Sequence, residues 1–213
     1  MRTAVHVHGC HLSTIGWELI VLGDPGTGLL GQAAKGLDVA IQLGAEVMFW
    51  GTGSSERDGL KESRYTFECL RAIPDMAEKL GKFEHIFDEV SHNTRAELEC
   101  TASRAFLRDI ERLWLVSNPT HIARCINTAL MVLQAEPRYD KLLRNIGVAV
   151  SDVCYPGKTP NDVIIIDPPH RLDQPRHNMN GIAKAMIGLR GTPQANFCLT
   201  ELRATLGKYG ADI

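Results

Sequence analysis

The chain has 213 residues, of which 44% are hydrophobic and 23% are charged, and its formal net charge is −2. This composition is typical of a globular protein. The near-neutral charge argues against a broad nucleic-acid-binding surface, which requires a clear basic excess. The length favours one domain, so we predict a single Rossmann-like domain over residues 1–213, with a C-terminal extension from about residue 152 that could cover the site.

Short apolar runs alternate along the chain with segments of helical periodicity. The predicted strands are residues 3–8, 19–22, 46–50, 83–87, 113–116, 146–150 and 163–166. The predicted helices are residues 29–43, 61–80 with a kink or break at Pro74, 93–108, 122–134, 179–189 and 199–206. This alternation favours an α/β fold, a Rossmann-like three-layer sandwich with a mostly parallel central sheet, whose ligands bind beyond the carboxyl ends of the strands.

The sequence shows neither a secretory signal nor a transmembrane segment. The first residues lack the long apolar stretch of a secretory signal, and no run approaches the ~20 apolar residues that cross a bilayer. The six cysteines are spread without CxxC pairs, which indicates reduced thiols in a chain with no export signal. We therefore expect a soluble cytoplasmic protein with no membrane partner.

Polar, turn-forming clusters follow several predicted strands. Glycine, serine and threonine at such turns let backbone N–H groups surround an anion at a helix N-terminus. Each loop alone has a plain structural interpretation, such as helix capping by Ser91 or Asn93, whereas the convergence of several loops favours a binding site. The candidate ligand-binding residues in these loops are His8, His11, Gly51, Thr52, Gly53, Ser54, Ser91, Asn93, Thr94, Ser117, Asn118 and Thr120.

The glycine-rich segment GDPGTG, residues 23–28, resembles a phosphate-binding loop only superficially. No Lys-Ser/Thr pair follows Gly28, and the GxGxxG dinucleotide fingerprint is also missing. These departures disfavour a P-loop nucleoside triphosphatase and a nicotinamide-dependent dehydrogenase.

Three histidines stand close together at the first predicted strand. His6 and His8 point to the same face of a strand, and His11 follows just beyond its end. Three imidazoles can bind zinc, but hydrogen-bonded core histidines are the favoured interpretation, because the sequence shows no obvious carboxylate partner. From the sequence we therefore assign no metal ligands, and we regard His8 and His11 as residues that line the site.

The segment SNPTHIAR, residues 117–124, carries the strongest single signal. Pro119 and Thr120 begin a predicted helix, so that His121 lies at its mouth and Arg124 one turn later. This pair suits phosphate binding or acid–base work, with His121 as the acid–base candidate and Arg124 as the anion clamp. The structural alternative is that His121 caps the helix and Arg124 pairs with a surface carboxylate.

The order and spacing of four motifs over residues 3–135 resemble the YdcF/SanA/ElyC family. They are AVHVHGC, GTGSS with Lys61-Glu62-Ser63, Ser91-His92-Asn93-Thr94 with Glu97, and Ser117-Asn118-Pro119-Thr120-His121 with Arg124. The resemblance implies a Rossmann-like fold and a polar pocket formed by these motifs. It adds Glu62 and Glu97 as catalytic candidates, either as general acids or bases or as residues that orient the loops.

These expectations combine into one functional hypothesis. We expect an enzyme, a hydrolase or transferase, that acts on a small phosphorylated or nucleotide-like metabolite. The alternative is a non-catalytic binding protein for a nucleotide-like cofactor such as S-adenosylmethionine. In the family that this chain resembles, one soluble relative is associated with S-adenosylmethionine binding. His170 and Arg171, in the Pro- and His-rich segment DPPHRLDQPRH, could close over the pocket or help to bind a partner, and the sequence is compatible with a homo-oligomer.

Overall fold

A computed structural model describes residues 1–9, 28–51, 56–117 and 122–150. The strands are β1 (Thr3–Val7), β2 (Val47–Trp50), β3 (Glu56–Arg57), β4 (Leu60–Lys61), β5 (Glu84–Phe87), β6 (Arg112–Ser117) and β7 (Ile146–Val150). The α-helices are α1 (Gly28–Leu43), α2 (Glu62–Arg71), α3 (Pro74–Leu80), α4 (Thr94–Phe106), α5 (Ile122–Gln134) and α6 (Asp140–Arg144). The predicted elements at 19–22, 163–166, 179–189 and 199–206 lie outside the described residues.

Five of the described strands form one sheet in the order β5-β2-β1-β6-β7, and every neighbouring pair among them is parallel. The register places Val7 of β1 beside Trp50 of β2 and beside Val116 of β6. The carboxyl ends of the three central strands therefore lie at one edge of the sheet. The predicted α/β, Rossmann-like fold with a mostly parallel sheet is confirmed.

Helices cover both faces of this sheet, because alternate residues of each strand point to opposite sides. One core joins strand residues to helices α4 and α5, through Ala4, Phe49, Leu115, Leu98 and Ile126. The other joins strand residues to helices α1, α2 and α3, through Val5, Met48, Leu37, Leu70 and Leu80. Two separate apolar cores on the two faces give the three-layer architecture expected for parallel sheets.

Local signals account for the ends of several helices. Gly44 follows α1 with a φ of +59°, which is the left-handed conformation that commonly ends a helix. Pro74 begins α3 as its first residue after Ile73, so the predicted helix over residues 61–80 divides into two at this proline. No helix among the described residues is long and apolar enough to span a membrane.

Two short features were not predicted. A small hairpin joins β3 and β4 through Asp58 and Gly59, which both have positive φ angles. A 3₁₀ turn (Pro137–Tyr139) and the short helix α6 then fill the connection between α5 and β7. Both features are too short for hydrophobic periodicity to reveal them.

Candidate functional site

The order of the strands marks one edge of the sheet as the place for a ligand. From β1 the chain proceeds through β2 and β5 on one side of the sheet, and then through β6 and β7 on the other. The connections thus leave β1 and β6 in opposite directions, which opens a crevice beyond the carboxyl ends of these two strands. The residues that follow β1, β2 and β6 form the candidate site.

Beneath this edge, the carboxylate of Glu97 binds the end of β1. Its Oε1 atom lies 2.8 Å from His6 Nε2 and accepts a hydrogen bond of 3.0 Å from the backbone N–H of Gly9. Glu97 lies in the first turn of α4 and is 1% exposed. The side chain therefore ties the start of a helix to the turn that follows the central strand.

His8 completes a buried group that we call the histidine–glutamate cluster, consisting of His6, His8 and Glu97. The Nδ1 atom of His8 lies 2.6 Å from Glu97 Oε1. Burial raises the pKa of Glu97, but the two imidazoles more than offset this effect and hold the pKa at about 2. The carboxylate is therefore ionised at neutral pH, which favours a positioning role for Glu97 over a role as general acid.

The sequence shows no obvious carboxylate partner for the histidines, but the structure supplies one, because Glu97 lies on a helix 91 residues away in sequence from His6. Thr101 was also missed, and its Oγ1 atom lies 3.1 Å from His6 Nδ1. Glu97 and Thr101 are four residues apart on α4 and so share one helix face. That spacing is the signal that could have connected them to the two histidines.

Gly51 follows β2 directly and lies against the same carboxylate. A Cβ atom at this position would overlap the Glu97 carboxylate and would lie 2.6 Å from the backbone nitrogen of Gly9. Only glycine leaves room for this approach. The predicted site residue Gly51 thus has a steric role at the point where β1, β2 and α4 meet.

A cavity of about 230 Å³, a volume that includes space open to solvent, lies between the ends of β1 and β2 and the helices α1 and α2. Its lining residues are Val7, His8, Gly9, Gln32, Trp50, Gly51, Glu62, Ser63 and Thr66. Glu62 is 1% exposed, and Thr66 is 6% exposed. Among the described residues, the Thr66 hydroxyl has no hydrogen-bond partner, which is uncommon for a buried polar atom.

Two backbone contacts shape the walls of this cavity. Gln32 of α1 donates a hydrogen bond from Nε2 to the backbone oxygen of His8. Ser63 donates its hydroxyl to the backbone oxygen of Asp88, at 3.0 Å. Neither Gln32 nor Ser63 was predicted as a site residue, since an amide or hydroxyl on a helix carries no distinctive signal in the sequence.

Hydrogen bonds within the loop before α4 determine its conformation. Asp88 Oδ1 accepts hydrogen bonds from the backbone N–H groups of Val90 and Ser91, each at 3.1 Å. Asn93 is the N-cap of α4 and accepts from the Ala96 N–H at 3.0 Å. Asn93 thus caps a helix, which is the structural alternative to its predicted role in ligand binding. The backbone N–H of Ser91 donates to the Asp88 carboxylate.

Some of the remaining predicted site residues lie at the candidate site, and the others lie outside the described residues. Thr94 begins α4, and Ser117 ends β6 as a fully buried residue at the crevice. Arg124 belongs to α5, but the structure does not describe the position of its side chain. The residues outside the described ranges are His11, Thr52, Gly53, Ser54, Asn118, Thr120, His121, His170 and Arg171.

Comparison with known proteins gives no relative. Neither the protein-family models nor the curated proteins nor the solved structures include a match to this chain. Membership of the YdcF/SanA/ElyC family stays a prediction that rests on the motifs alone.

Proposed function

We propose that the protein is an enzyme that acts on a small phosphorylated or nucleotide-like metabolite, by hydrolysis or group transfer, at the carboxyl edge of its sheet. The observation that carries the proposal is the cavity beside β1, where the buried Thr66 hydroxyl lacks a hydrogen-bond partner among the described residues. A polar group of a ligand could satisfy this hydroxyl.

The surrounding backbone supports an anionic ligand. Helix α2 begins at Glu62 on the wall of the cavity, and helices α4 and α5 begin just after β5 and β6. Helix N-termini carry unpaired N–H groups and partial positive charge, which favour anions. The enclosed part of this space has room for about one water-sized group, so in this proposal it takes one polar group of a ligand that extends over the crevice.

The acid–base group of this proposal is His121, with Arg124 as the anion clamp, as the sequence predicts. Glu97 does not compete for the acid–base role, because its carboxylate already binds two imidazoles and the Gly9 N–H. Glu62 remains a candidate, since it is buried at the cavity wall.

A thermal-shift screen with a metal chelator present tests the proposal. The probes are inorganic phosphate, adenosine 5′-monophosphate, adenosine 5′-triphosphate, glucose 6-phosphate and S-adenosylmethionine. A true ligand stabilises the folded protein by about 2.7 kcal/mol at a hundredfold excess over Kd. We expect Thr66→Val, His121→Ala and Arg124→Ala to reduce the shift, and Glu78→Gln, on the exposed side of α3, to preserve it.

Turnover separates the enzyme from the alternative function. Release of phosphate or conversion of the probe by the wild type, and its loss in His121→Ala, would support the enzyme. Tight binding of S-adenosylmethionine without conversion of any probe would instead support a cofactor-binding protein. Turnover that survived the loss of both His121 and Arg124 would rule out their assigned roles.

A further inference from the structure

The histidine–glutamate cluster brings three potential metal ligands to one point. His6 and His8 lie two residues apart on one face of β1, and Glu97 reaches them from α4. One ligand atom from each residue lies within 4.8 Å of the other two. All three side chains are at most 2% exposed, so the surrounding protein fixes their positions.

The Glu97 carboxylate brings a negative charge into this buried cluster. It contacts the two imidazoles and accepts a hydrogen bond from the backbone N–H of Gly9. Burial of a charged carboxylate is unfavourable unless its charge is compensated. A bound dication would neutralise the carboxylate directly, and the imidazoles would bind it in their neutral form.

Thr101 contacts the ring nitrogen of His6 that does not face Glu97, as an outer hydrogen-bond partner does in metal-binding histidines. A histidine that binds a metal through one ring nitrogen usually donates the other ring N–H to a fixed oxygen. The Nδ1 atom of His6 lies 3.1 Å from the Thr101 hydroxyl, which leaves Nε2 directed at the cluster. The hydroxyl thereby fixes the ring of His6 in an orientation that suits coordination.

We propose that His6 Nε2, His8 Nδ1 and the Glu97 carboxylate bind a divalent transition-metal ion, with Zn²⁺ as the expected occupant. Two histidines and one glutamate are an established ligand set for zinc and leave a fourth position open. Imidazole with carboxylate does not suit Mg²⁺ or Ca²⁺, which prefer oxygen ligands alone. His8 also lines the cavity on which the proposed function rests, so the two proposals share this residue. They differ in the group that they use, because the metal site depends on Glu97 of α4 and the ligand site on Thr66 of α2.

Coordination requires a small adjustment of the cluster. The two nitrogens lie 2.8 Å and 2.6 Å from Glu97 Oε1, whereas ligands at 2.0–2.1 Å from a tetrahedral Zn²⁺ are about 3.3 Å apart. Each nitrogen therefore moves roughly 0.5–0.7 Å farther from Glu97 Oε1 when the ion enters. Without an ion, the same atoms form a hydrogen-bonded group, and that state is the competing outcome of the test.

The test uses the full chain, without an affinity tag, after removal of metals with a chelator. Titration with Zn²⁺ and then with Co²⁺ measures the stoichiometry, the affinity and the visible absorption of bound cobalt. We expect one equivalent of metal and a tetrahedral cobalt spectrum without the near-ultraviolet thiolate band. This spectrum distinguishes the cluster from a site on the six cysteines.

Matched variants locate the ion. We expect His8→Ala and Glu97→Gln to weaken Zn²⁺ binding at least a hundredfold, and Thr101→Val to weaken it about tenfold through loss of the second contact. Glu99→Gln, an exposed position on the same helix, and His92→Ala, an exposed histidine, should bind like the wild type. Circular dichroism checks that each variant is folded.

The outcomes decide between the two states of the cluster. Absence of metal binding by the wild type would overturn the proposal and leave a hydrogen-bonded core group, as would binding that persists in the double variant His6→Ala/His8→Ala. If the cluster variants fail to fold, the wild-type cobalt spectrum decides, because a thiolate band overturns the proposal and a nitrogen- and oxygen-ligated spectrum supports it. Ligand binding in the chelator-treated screen is a separate result, so either proposal can fail alone.

Discussion

At the scale of single residues, the approach of Gly51 to Glu97 determines how closely β2 and α4 meet. The missing side chain of Gly51 lets the Glu97 carboxylate reach Gly9 and both histidines without displacement of either loop. A methyl group at this position would have to move the carboxylate or the backbone of Gly9, and both are buried or hydrogen-bonded.

Gly51→Ala should therefore destabilise the protein. Overpacking of this kind costs about 1–3 kcal/mol of the free energy of unfolding, measured by urea denaturation. Gly81→Ala is the matched control, because a Cβ there meets only ordinary contacts at 3.5 Å or more. Equal stability of the two variants would show that the Glu97 carboxylate is not held against Gly51.

His85 illustrates how neighbouring groups fix a protonation state. Its Nδ1 lies 3.0 Å from the indole nitrogen of Trp50, which can only donate, and its Nε2 lies 2.8 Å from the backbone oxygen of Leu80, which can only accept. The ring is therefore neutral, with the proton on Nε2. Burial lowers the pKa of His85, and the hydrogen bond to Leu80 offsets this only in part.

This lowered pKa makes stability depend on pH. As the pH falls below about 6.5, the unfolded chain takes up a proton at His85 more readily than the folded protein does, so the free energy of unfolding decreases. Urea denaturation between pH 7.5 and about 5 should show a shallower decrease for His85→Gln than for the wild type. His92→Gln, at an exposed position, should retain the wild-type slope, and equal slopes for all three proteins would refute the assignment.

Sequence patterns directed attention to the correct edge of the sheet for several candidate residues. Gly51, Glu62, Glu97 and Ser117 do lie at or beneath the carboxyl edge. The partners of Glu97 were not predictable from local spacing, because β1 and α4 meet only when the sheet forms.

At the scale of elements, capping explains where α4 begins. Asn93 accepts a hydrogen bond from the Ala96 N–H, which would otherwise be unpaired at the helix start. The same helix holds Glu97 and Thr101 against β1, so its first turn connects the cap to the histidine–glutamate cluster.

Asn93→Ala should lower the free energy of unfolding by about 1 kcal/mol, because the cap acceptor is lost. Asn93→Ser keeps an acceptor at the N-cap and should remain within a few tenths of a kcal/mol of the wild type. Thermal or urea unfolding of the pair measures the difference. If the alanine variant is as stable as the serine variant, capping is not the role of this side chain.

Long periodic elements were predicted well, and short ones were missed. The spacing of apolar residues placed α5 at residues 122–134 and β7 at 146–150, as observed. The hairpin β3–β4 has two residues in each strand, and only its Asp58–Gly59 turn left a sequence signal. Strands of two residues are too short to show hydrophobic periodicity, and they form only because the surrounding structure supports them.

At the scale of the whole molecule, strand order determines where a ligand can bind. The sequence predicted the parallel sheet, because strand and helix patterns alternate, but it contains no direct signal for the order β5-β2-β1-β6-β7. That order places the ends of β1 and β6 side by side and concentrates Gly9, Gly51 and Ser117 at one edge. We propose that this edge binds the ligand.

Backbone amide mapping by nuclear magnetic resonance tests directly whether a ligand binds at this edge. The isotope-labelled chain is titrated with adenosine 5′-monophosphate or with S-adenosylmethionine. We expect the largest shift changes at the carboxyl edge, at Gly9, Gly51, Ser63, Thr66 and Ser117. The opposite edge, at Gly44, Ala45, Asp109 and Glu111, should not respond. Changes centred on that opposite edge, or no change with either probe, would contradict the proposed site.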